Sequence, residues 1–573
     1  MNRVNRLPIR FPAWRRRVLL LGVLGGFVVL LGRSIYLQAM HTAFLQQEGD
    51  ARYNRTLTLP AHRGAITDRN GEQLASSTEV ESIWASPQDV EIDSDKLKQL
   101  AALLDMKSAD LQNKLDKEDK TFVYLRRRMS PADADKVGAL HIPGIYKQRE
   151  YRRYYPAAEV TAHVVGFTGI EDAGQEGMEL MFQNWLSGKS GVRHVRKDRS
   201  GHIIEDLEAP KMPQDGHDLA LSIDLNIQYL AHRELKNAVA AHKAKAGAIV
   251  VLDAKTGEVL AMANQPTYNP NNPANIAGKS RNRAVVDIFE PGSTLKPFTI
   301  AAALQSGLAT PDTQIETAPG SLRIGSATIH DTHPEGRLTL TQVIQKSSNV
   351  GAAKLALGMS PQYMWTTFNQ VGFGSPASIG FPGEASGKLR PYKNWRPIEQ
   401  ATMAFGHGIS LSLLQLARAY TVFADDGEIK PVTLLKLKEP PIGQRVFSTE
   451  TARNVRAMLE TVTQPGGTAP RAQVMGYRVA GKTGTAHKSD VGGYAANRYV
   501  SSFVGMAPAS NPRLIIAVMI DEPGDGQYYG GTVAAPVFSA VMSGALRQLG
   551  VPQDAPNNNI VIPAGASEVG EMT

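Results

Sequence analysis

The N-terminal part of the chain contains one uninterrupted block of apolar residues. It runs from Val18 to Gly32 and continues beyond Arg33 to Leu37. A helix needs about 20 mainly apolar residues to cross the hydrocarbon core of a bilayer. We therefore predict a transmembrane helix over residues 18–37, in which the long side chain of Arg33 carries its charge toward the interface.

The next part of the chain mixes short strand-like runs with helical patterns. Asn70-Gly71 separates two short apolar runs and predicts a tight turn. Apolar residues at helical spacing then extend from Asp93 to about Leu140. This pattern predicts an elongated α+β module over residues 44–218, and we find no nucleophile beside a base in it.

Near residue 219 the pattern changes to longer elements. A helical stretch covers Leu225 to Ala241, and the run from Gly247 to Asn264 predicts a β-hairpin. Three later runs alternate or are wholly apolar, as expected for consecutive antiparallel strands: 479–486, 499–507 and 514–520. We predict a second domain over residues 219–549, so that the whole chain has an α+β fold. The remaining residues, 550–573, contain few apolar positions and are predicted to be a disordered tail.

The charge of the chain is concentrated at its N-terminus. The net charge is +8, from 62 basic and 54 acidic residues. Six arginines precede the apolar block without an acidic residue among them: Arg3, Arg6, Arg10, Arg15, Arg16 and Arg17. Without these six the net charge would be +2, so the basic balance indicates no nucleic-acid surface. Because cytoplasmic flanks are rich in positive residues, residues 1–17 are predicted to be a cytoplasmic tail of an inner-membrane protein whose remainder is periplasmic.

The apolar block has two interpretations. A cleaved signal peptide also combines positive residues with an apolar run, but Leu37 and His41 stand where a cleavage site needs small residues. We therefore favour an uncleaved anchor. Gly22 and Gly26 form a Gly-x-x-x-Gly pattern, which either permits close approach of a partner helix or is mere composition. The chain has no cysteine, which excludes disulfides, thiolate metal sites and a cysteine nucleophile.

A serine and a lysine three residues apart form the first candidate site. Ser293 and Lys296 lie just after Pro291-Gly292, and a helical run continues to Gly307. Residues at i and i+3 share one face of a helix, so the lysine can act as the base that a serine nucleophile needs. Pro297 is tolerable only if the helix begins near Ser293. Such a motif also occurs by chance, and alone it is weak.

Two further motifs follow in the chain. Ser347 and Asn349 form a Ser-x-Asn within a helical stretch from Thr339 to Met359. Lys482, Thr483 and Gly484 form a Lys-Thr-Gly, followed by Thr485, on the first strand of the predicted sheet. These three motifs in this order are the signature of penicillin-binding proteins and class A β-lactamases. They indicate a serine acyl-transfer site.

Over nearly its whole length the chain resembles a class B penicillin-binding protein, and most closely the division-specific peptidoglycan transpeptidases of the FtsI type. The stretches that carry the resemblance besides the three motifs are Arg63–Gly71, Arg153–Pro156, Glu176–Glu179, Ser222–Asp224, Gln265–Pro270 and Tyr529–Phe538. The resemblance implies that residues 44–218 are a non-catalytic pedestal of the dimerisation type. It also implies a transpeptidase domain with an antiparallel sheet flanked by helices. One departure is His407, between Gly406 and Gly408, where an aromatic residue is expected; we interpret it as shaping the pocket.

The resemblance also implies a mechanism. Ser293 would attack the penultimate carbonyl of a D-Ala-D-Ala stem peptide, with Lys296 as the neutral amine that accepts its proton. Ser347 would relay a proton to the leaving D-alanine, and Asn349 would position the substrate. Lys482, Thr483 and Thr485 would bind the terminal carboxylate, with the backbone N–H groups of Ser293 and Thr485, next to Gly484, as the oxyanion hole. No metal and no organic cofactor is implied.

The implied partners are peptidoglycan stem peptides, β-lactams, the membrane, other division proteins and a glycosyltransferase of the SEDS family. The last is implied because no polymerising domain fits before Ser222. Three alternatives stay open: an elongation-type transpeptidase, a β-lactamase or carboxypeptidase that hydrolyses the acyl-enzyme, and a β-lactam sensor or scaffold of the same fold. The residues do not distinguish an essential enzyme from an accessory copy, nor do they give the oligomeric state or the β-lactam selectivity.

Overall fold

The computed structural model describes residues 12–40, 54–117, 120–197, 203–272, 274, 276–490 and 493–561. The chain divides into two compact units. The first consists of the described parts of Met1–Ala61, Glu79–Tyr151 and Lys189–Gln214. The second consists of the described parts of His62–Thr78, Arg152–Gly188 and Asp215–Thr573. The segment that we predicted as a single module, 44–218, thus contributes to both units.

The strands, in chain order, are β1 Asn54–Leu59, β2 Ile66–Thr67, β3 Gln73–Ala85, β4 Val123–Met129, β5 Ile145–Tyr154, β6 Gly191–Lys197, β7 Ile203–Asp206, β8 Leu219–Ala220, β9 Ala246–Asp253, β10 Val259–Gln265, β11 Gln314–Glu316, β12 Ser321–Ile324, β13 Ala327–His330, β14 Arg337–Thr339, β15 Glu428–Ile429, β16 Gln444–Arg445, β17 Ala480–Asp490, β18 Gly493–Ala507 and β19 Leu514–Asp521.

The α-helices are α1 Ala13–Ile35, α2 Ser94–Leu103, α3 Ser108–Leu115, α4 Pro131–Gly138, α5 Ala162–Val165, α6 Gly177–Met181, α7 Gln183–Leu186, α8 Leu225–Ala241, α9 Arg283–Val286, α10 Lys296–Gln305, α11 Leu340–Gln345, α12 Asn349–Gly358, α13 Pro361–Gln370, α14 Pro397–Met403, α15 Leu413–Ala419, α16 Thr421–Ala424, α17 Thr449–Glu460, α18 Gly530–Val533 and α19 Ala535–Gln548.

The N-terminal helix is long and apolar enough to cross a bilayer. Helix α1 continues as a π-helical turn, and within the span Ala13–Gln38 an 18-residue stretch has a mean hydropathy of 2.2. The helix starts earlier than the predicted boundary at residue 18, because Arg15, Arg16 and Arg17 are good helix formers and extend it to Pro12. This element fits a single-pass membrane anchor.

In the first unit, helices α2, α3 and α4 pack around a small apolar core that includes Ile83, Leu100, Leu111 and Leu125. The predicted helical run from Asp93 to about Leu140 is interrupted by strand β4, which pairs with β3. The interruption begins at Val123-Tyr124, and β-branched and aromatic residues favour a strand over a helix. A separate sheet of this unit has the strand order β1-β6-β7.

The core of the second unit is a five-stranded antiparallel sheet. Its strand order is β10-β9-β19-β18-β17, so β17 lies at an edge. Every residue of β9 and β19 is buried, which requires cover on both faces and explains why these strands are apolar up to the aspartate that ends each of them. Helices α8, α15 and α19 all contact this sheet. The predicted hairpin, the three antiparallel strands and the helix Leu225–Ala241 are confirmed.

A buried ion cluster, formed by Arg63, Arg153 and Glu179, joins the two early segments of the second unit. The Nε atoms of Arg63 and Arg153 donate to the two oxygens of the Glu179 carboxylate, each at 2.6 Å. The three side chains are at most 1% exposed. This cluster ties segments 62–78 and 152–188 to each other, and its three residues belong to three of the family-like stretches.

The disorder predicted for residues 550–573 is wrong for the part that the structure describes. Asn559 Nδ2 donates to the carbonyl of Tyr477 at 2.9 Å, and the backbone N–H of Arg478 donates to Asp554 at 2.7 Å. Polar side chains therefore hold this segment in place by hydrogen bonds to a neighbouring loop. A prediction of disorder from low apolar content does not detect such bonds. The rest of the predicted tail, 562–573, lies outside the described residues.

Candidate active site

Ser293 lies in a short 3-10 turn that leads directly into a buried helix. The turn covers Gly292–Leu295, and α10 begins at Lys296. We predicted that the helix begins near Ser293, and the α-helix proper starts one turn later. Pro297 requires this, because a proline is tolerated in the first turn of an α-helix, where its missing N–H has no partner to lose. Gly292 enters the turn with φ +54°, a conformation that favours glycine.

The amine of Lys296 lies between two serine hydroxyls. Its Nζ is 2.8 Å from Ser293 Oγ and 2.9 Å from Ser347 Oγ, and it also donates to the Ser347 carbonyl. Ser293 and Lys296 are fully buried, and Ser347 is 6% exposed. The spacing of the first motif therefore gives the predicted contact, while the contact with Ser347 joins residues that are 51 positions apart.

Ser347 sits on a break between two helices. We predicted one helical stretch from Thr339 to Met359, but α11 ends at Gln345 and α12 begins at Asn349. Ser347 has φ +59°, a strained conformation for a residue with a side chain, with a cost of about 1–3 kcal/mol. This break turns the Ser347 hydroxyl toward Lys296, which a continuous helix would not do.

The segment after β13 holds this break in place, and no local pattern of residues predicts this contact. Asp331 accepts hydrogen bonds from Ser348 Oγ at 2.7 Å and from the Val350 N–H at 2.9 Å. Asn349 Nδ2 donates to the carbonyl of His330 at 3.0 Å. Asp331 thus carries a negative charge at the start of α12, where the helix dipole favours it. Only the three-dimensional structure brings it there.

The third motif runs along the edge strand β17. Lys482, Thr483 and Thr485 are buried. Lys482 Nζ donates to Thr483 Oγ1 at 3.2 Å, and that oxygen also lies 2.8 Å from Thr468 Oγ1. Thr485 Oγ1 accepts from the Gly530 N–H at 3.1 Å. Sequence reasoning missed Thr468 and included Gly530 only within the family-like stretch Tyr529–Phe538, because hydrogen bonds between distant loops leave no local pattern.

Gly484 allows this strand to touch the turn of the serine. A Cβ atom on Gly484 would lie 2.7 Å from the carbonyl oxygen of Pro291 and 2.5 Å from Ser502 Oγ. Both distances are shorter than the van der Waals contact that a Cβ atom can make with an oxygen. Glycine is therefore required for the close approach that places the β17 backbone beside Ser293.

His407 lies in a buried loop behind the serine turn. A Cβ on the preceding Gly406 would lie 2.2 Å from the Gly292 carbonyl oxygen, so this loop packs directly on the turn. Burial, and after it the nearby Lys296 and His487, together lower the pKa of His407 to about 4. The imidazole is therefore neutral at physiological pH, which is consistent with a residue that shapes the pocket.

The arrangement can support nucleophilic chemistry with an amine base. It provides a hydroxyl, an amine within hydrogen-bond distance of it, a second hydroxyl on the same amine, and a buried lysine on the edge strand. Within the described ranges, no group of three His, Asp or Glu side chains is placed to hold a metal ion. The catalytic roles assigned to these residues remain predictions.

Comparison with known proteins identifies the domains. Residues 247–543 match the family model of the penicillin binding protein transpeptidase domain, and residues 58–221 match that of the penicillin-binding protein dimerisation domain. The matches agree with the resemblance identified in the sequence.

Known relatives cover nearly the whole chain. A probable peptidoglycan D,D-transpeptidase PenA of Neisseria gonorrhoeae is 45% identical over 92% of this chain and 92% of its own length. Peptidoglycan D,D-transpeptidase FtsI of Escherichia coli K12 is 43% identical over 95% of this chain and 93% of its own. The solved transpeptidase domain of Burkholderia pseudomallei penicillin-binding protein 3 is 51% identical, with a TM-score of 0.55. This match covers 59% of this chain and 98% of the solved chain. The chain belongs to the penicillin-binding protein transpeptidase family.

Proposed function

We propose that this protein is a serine-type peptidoglycan D,D-transpeptidase that crosslinks stem peptides through an acyl-enzyme on Ser293, in septal cell-wall synthesis. The observation that carries the proposal is the position of Lys296 Nζ, 2.8 Å from Ser293 Oγ and 2.9 Å from Ser347 Oγ. One amine can then serve both hydroxyls during the two halves of an acyl transfer.

Acylation uses Lys296 as the base. Ser293 Oγ attacks the carbonyl between the two terminal D-alanines, and its proton passes to the neutral amine of Lys296. Complete burial of that amine favours the neutral form, because an ammonium ion loses its hydration there. The N–H groups of Ser293 and Thr485 stabilise the oxyanion, and the approach of Gly484 to Pro291 supports their proximity.

Departure of D-alanine uses the second hydroxyl. The C–N bond breaks, and Ser347 Oγ delivers the proton that the new amine requires, with Lys296 restoring it. Lys482, Thr483 and Thr485 bind the terminal carboxylate of the donor, and Asn349 positions the substrate. A β-lactam imitates the donor but keeps its leaving group tethered, so that Ser293 stays acylated.

For localisation we propose a single-pass protein of the inner membrane, with its N-terminus in the cytoplasm and its catalytic domain in the periplasm. The arginines before residue 18 and the apolar helix α1 support this orientation. For partners we propose a SEDS-family glycosyltransferase and other division proteins, on the resemblance to FtsI-type enzymes. Replacing Gly22 and Gly26 by leucine should weaken co-purification with such a polymerase while penicillin labelling persists; unchanged co-purification would place the contact elsewhere.

The experiment that tests the proposed activity is covalent labelling with a fluorescent penicillin. The Ser293→Ala variant loses the attacking oxygen, so labelling should be abolished while the thermal unfolding profile is retained. The matched control is Ser306→Ala just after α10, where the hydroxyl donates to the Ala303 carbonyl and accepts from the Leu308 N–H, far from the site. Labelling of another residue in Ser293→Ala would refute the assignment.

The lifetime of the acyl-enzyme separates the alternatives. A transpeptidase forms a long-lived penicilloyl-enzyme and a peptide crosslink when an acceptor amine is supplied. Rapid hydrolysis without crosslinking would instead indicate a β-lactamase or carboxypeptidase. Stable labelling without turnover of any donor would indicate a sensor.

A further inference from the structure

A polar cavity of about 500 Å³ lies at one end of the five-stranded sheet of the second unit. Its walls come from the turn between β9 and β10, the turn between β18 and β19, the segment after α16, and helix α17. The polar and charged residues that line it are Lys255, Asp426, Arg453, Arg456, Ser510 and Asn511. Small-molecule sites in proteins commonly measure about 300–1,000 Å³, so this cavity is large enough for a small ligand.

The walls of this cavity carry more positive than negative charge. Lys255, Arg453 and Arg456 supply three cations, whereas Asp426 is the one carboxylate among the described residues that line it. Arg453 Nε and Nη2 donate to Asp426 Oδ2 at 3.1 and 2.6 Å, and Arg456 Nη1 donates to Oδ1 at 3.1 Å. Two guanidinium groups therefore share a single carboxylate.

The lysine of the cavity shares its carboxylate partner as well. Lys255 Nζ lies 3.3 Å from Asp425 Oδ1, and Lys430 Nζ lies 2.9 Å from Asp425 Oδ2. Lys430 also lies 3.5 Å from Glu428, which in turn binds Arg445 at 2.8 Å. Within the part of the chain that the structure describes, the carboxylates of this ion-pair network are fewer than its cations: Asp425, Asp426 and Glu428 against Lys255, Lys430, Arg445, Arg453 and Arg456. The cavity therefore keeps a positive excess.

Arg456 is the buried donor of the cavity. Its side chain is 10% exposed, and its Nη1 donates to Asp426 and to the Phe423 carbonyl, the latter at 2.8 Å. Its Nε and Nη2 have no hydrogen-bond partner among the described residues, and neither has Arg453 Nη1 or the side-chain amide of Asn511. Hydrogen bonds from charged donors are strongest to anionic acceptors. The unused N–H groups of this wall therefore favour an anion.

The two turns that border the cavity are held in place by carboxylates. The N–H and Oγ of Ser510 donate to Asp554 Oδ2 at 3.1 and 2.7 Å. Asp253 accepts from the Lys255 N–H at 2.9 Å, and its other oxygen accepts from Arg513. Asp253 thus links the β9–β10 turn to the β18–β19 turn. The walls are therefore fixed before a ligand arrives, which lowers the entropic cost of binding.

We infer that this cavity binds a phosphate group, as the free ion or as the phosphate monoester of a small molecule. Arg453 and Arg456 are three positions apart on one face of α17, so both guanidinium groups reach the same group of oxygens, and Lys255 joins them from the β9–β10 turn. A phosphate monoester carries about two negative charges at neutral pH. It therefore balances the three cations and one carboxylate of the lining, whereas a single carboxylate would not. This binding site is separate from the proposed transpeptidase activity and does not depend on it.

Equilibrium dialysis of the full-length protein in detergent against radiolabelled inorganic phosphate tests the site. The pH is 8, where phosphate is mainly a dianion, and sodium chloride keeps the ionic strength constant. Saturable binding is expected. Lys255→Gln and Arg453→Gln each remove a partly exposed cation and should weaken binding about two- to fivefold, the range of a partly exposed ion pair. The double variant should weaken it about tenfold.

Competition distinguishes the sources of the phosphate group. Displacement of the label by glycerol 3-phosphate assigns the site to phosphate esters, and binding of inorganic phosphate without such displacement assigns it to the free ion. Succinate, a dicarboxylate, should compete more weakly than inorganic phosphate. Stronger competition by succinate would overturn the inference.

Arg445→Gln is the matched control. Arg445 is an exposed arginine of the same ion-pair network that does not line the cavity, so its variant has the same change in net charge and should bind phosphate like the parent protein. Thermal unfolding of each variant reports whether the fold is kept. No saturable binding by the parent protein would overturn the inference. So would unchanged affinity in both cavity variants, or equal losses in Arg445→Gln and Arg453→Gln.

Discussion

Among the buried cationic side chains of the second unit, those of the ion cluster and that of Lys296 have opposite surroundings. In the buried ion cluster, Arg63 and Arg153 close on the two oxygens of one carboxylate at 2.6 Å. In the active site, Lys296 is equally buried but donates to the hydroxyls of Ser293 and Ser347. The first arrangement is a permanent contact between charged groups. The second holds an amine against hydroxyl groups, with which it can exchange protons.

This contrast shows why arginine and lysine are not interchangeable. A guanidinium is always charged, and its flat array of donors matches a carboxylate, so an arginine suits a permanent structural contact. A lysine amine can lose its proton when burial removes its hydration, so a lysine suits acid–base catalysis. Three variants test this comparison.

The largest effect is expected from Lys296→Arg, which puts the structural residue into the catalytic place. A guanidinium cannot accept the proton of Ser293, so acylation should slow about 10²–10⁴-fold, the usual cost of losing a general base. Stopped-flow acylation by a fluorescent penicillin measures the rate, with Lys438→Arg as the control. Acylation at the parent rate would mean that Lys296 is structural.

Glu179→Gln should damage stability rather than chemistry. It removes the carboxylate shared by two buried arginines, and breaking such a contact costs about 3–5 kcal/mol. The thermal unfolding temperature should fall by several degrees, while the protein that remains folded still binds penicillin. Glu439→Gln, at an exposed position, is the matched control. An unchanged unfolding temperature would show that the cluster does not hold the two segments.

The smallest effect is expected at His163, a buried side chain that is uncharged in the folded protein at neutral pH. Burial lowers the pKa of His163 to about 4, below its usual value near 6.5. The unfolded chain therefore takes up a proton before the folded one does, and stability is full above pH 6.5 and declines as the pH falls toward 4. The loss should reach at most about 3 kcal/mol.

His163→Gln should flatten this part of the pH dependence. Unfolding temperatures measured at several values between pH 7 and pH 4 would reveal the change, with the exposed His141→Gln as the control. The ring nitrogen Nε2 lies 2.8 Å from the Lys279 carbonyl, a contact that gives this buried histidine a structural role. An identical pH profile in the variant would assign the acid sensitivity to other groups.

Local patterns predicted the elements that depend on neighbouring residues. The helix Leu225–Ala241 was predicted with the boundaries it has, because an N-cap aspartate and a periodic apolar face suffice to define it. The break at Ser347 was not predicted, because it depends on Asp331 and on Lys296, which are distant in sequence. The ordered segment after Val551 was missed for the same reason, since its hydrogen-bond partners lie in another loop.

The sequence alone determined the apolar anchor, the order of the three motifs and the pairing of Ser293 with Lys296. The anchor, each single motif and this pair consist of residues only a few positions apart, so local patterns suffice to identify them. Only the tertiary structure decided that segments 62–78 and 152–188 pack with the second unit, that Ser347 turns toward Lys296, and that Gly484 rests on Pro291. Such contacts join distant parts of the chain. They are selected by packing, burial and hydrogen-bond geometry in the folded protein, and no local periodicity records them.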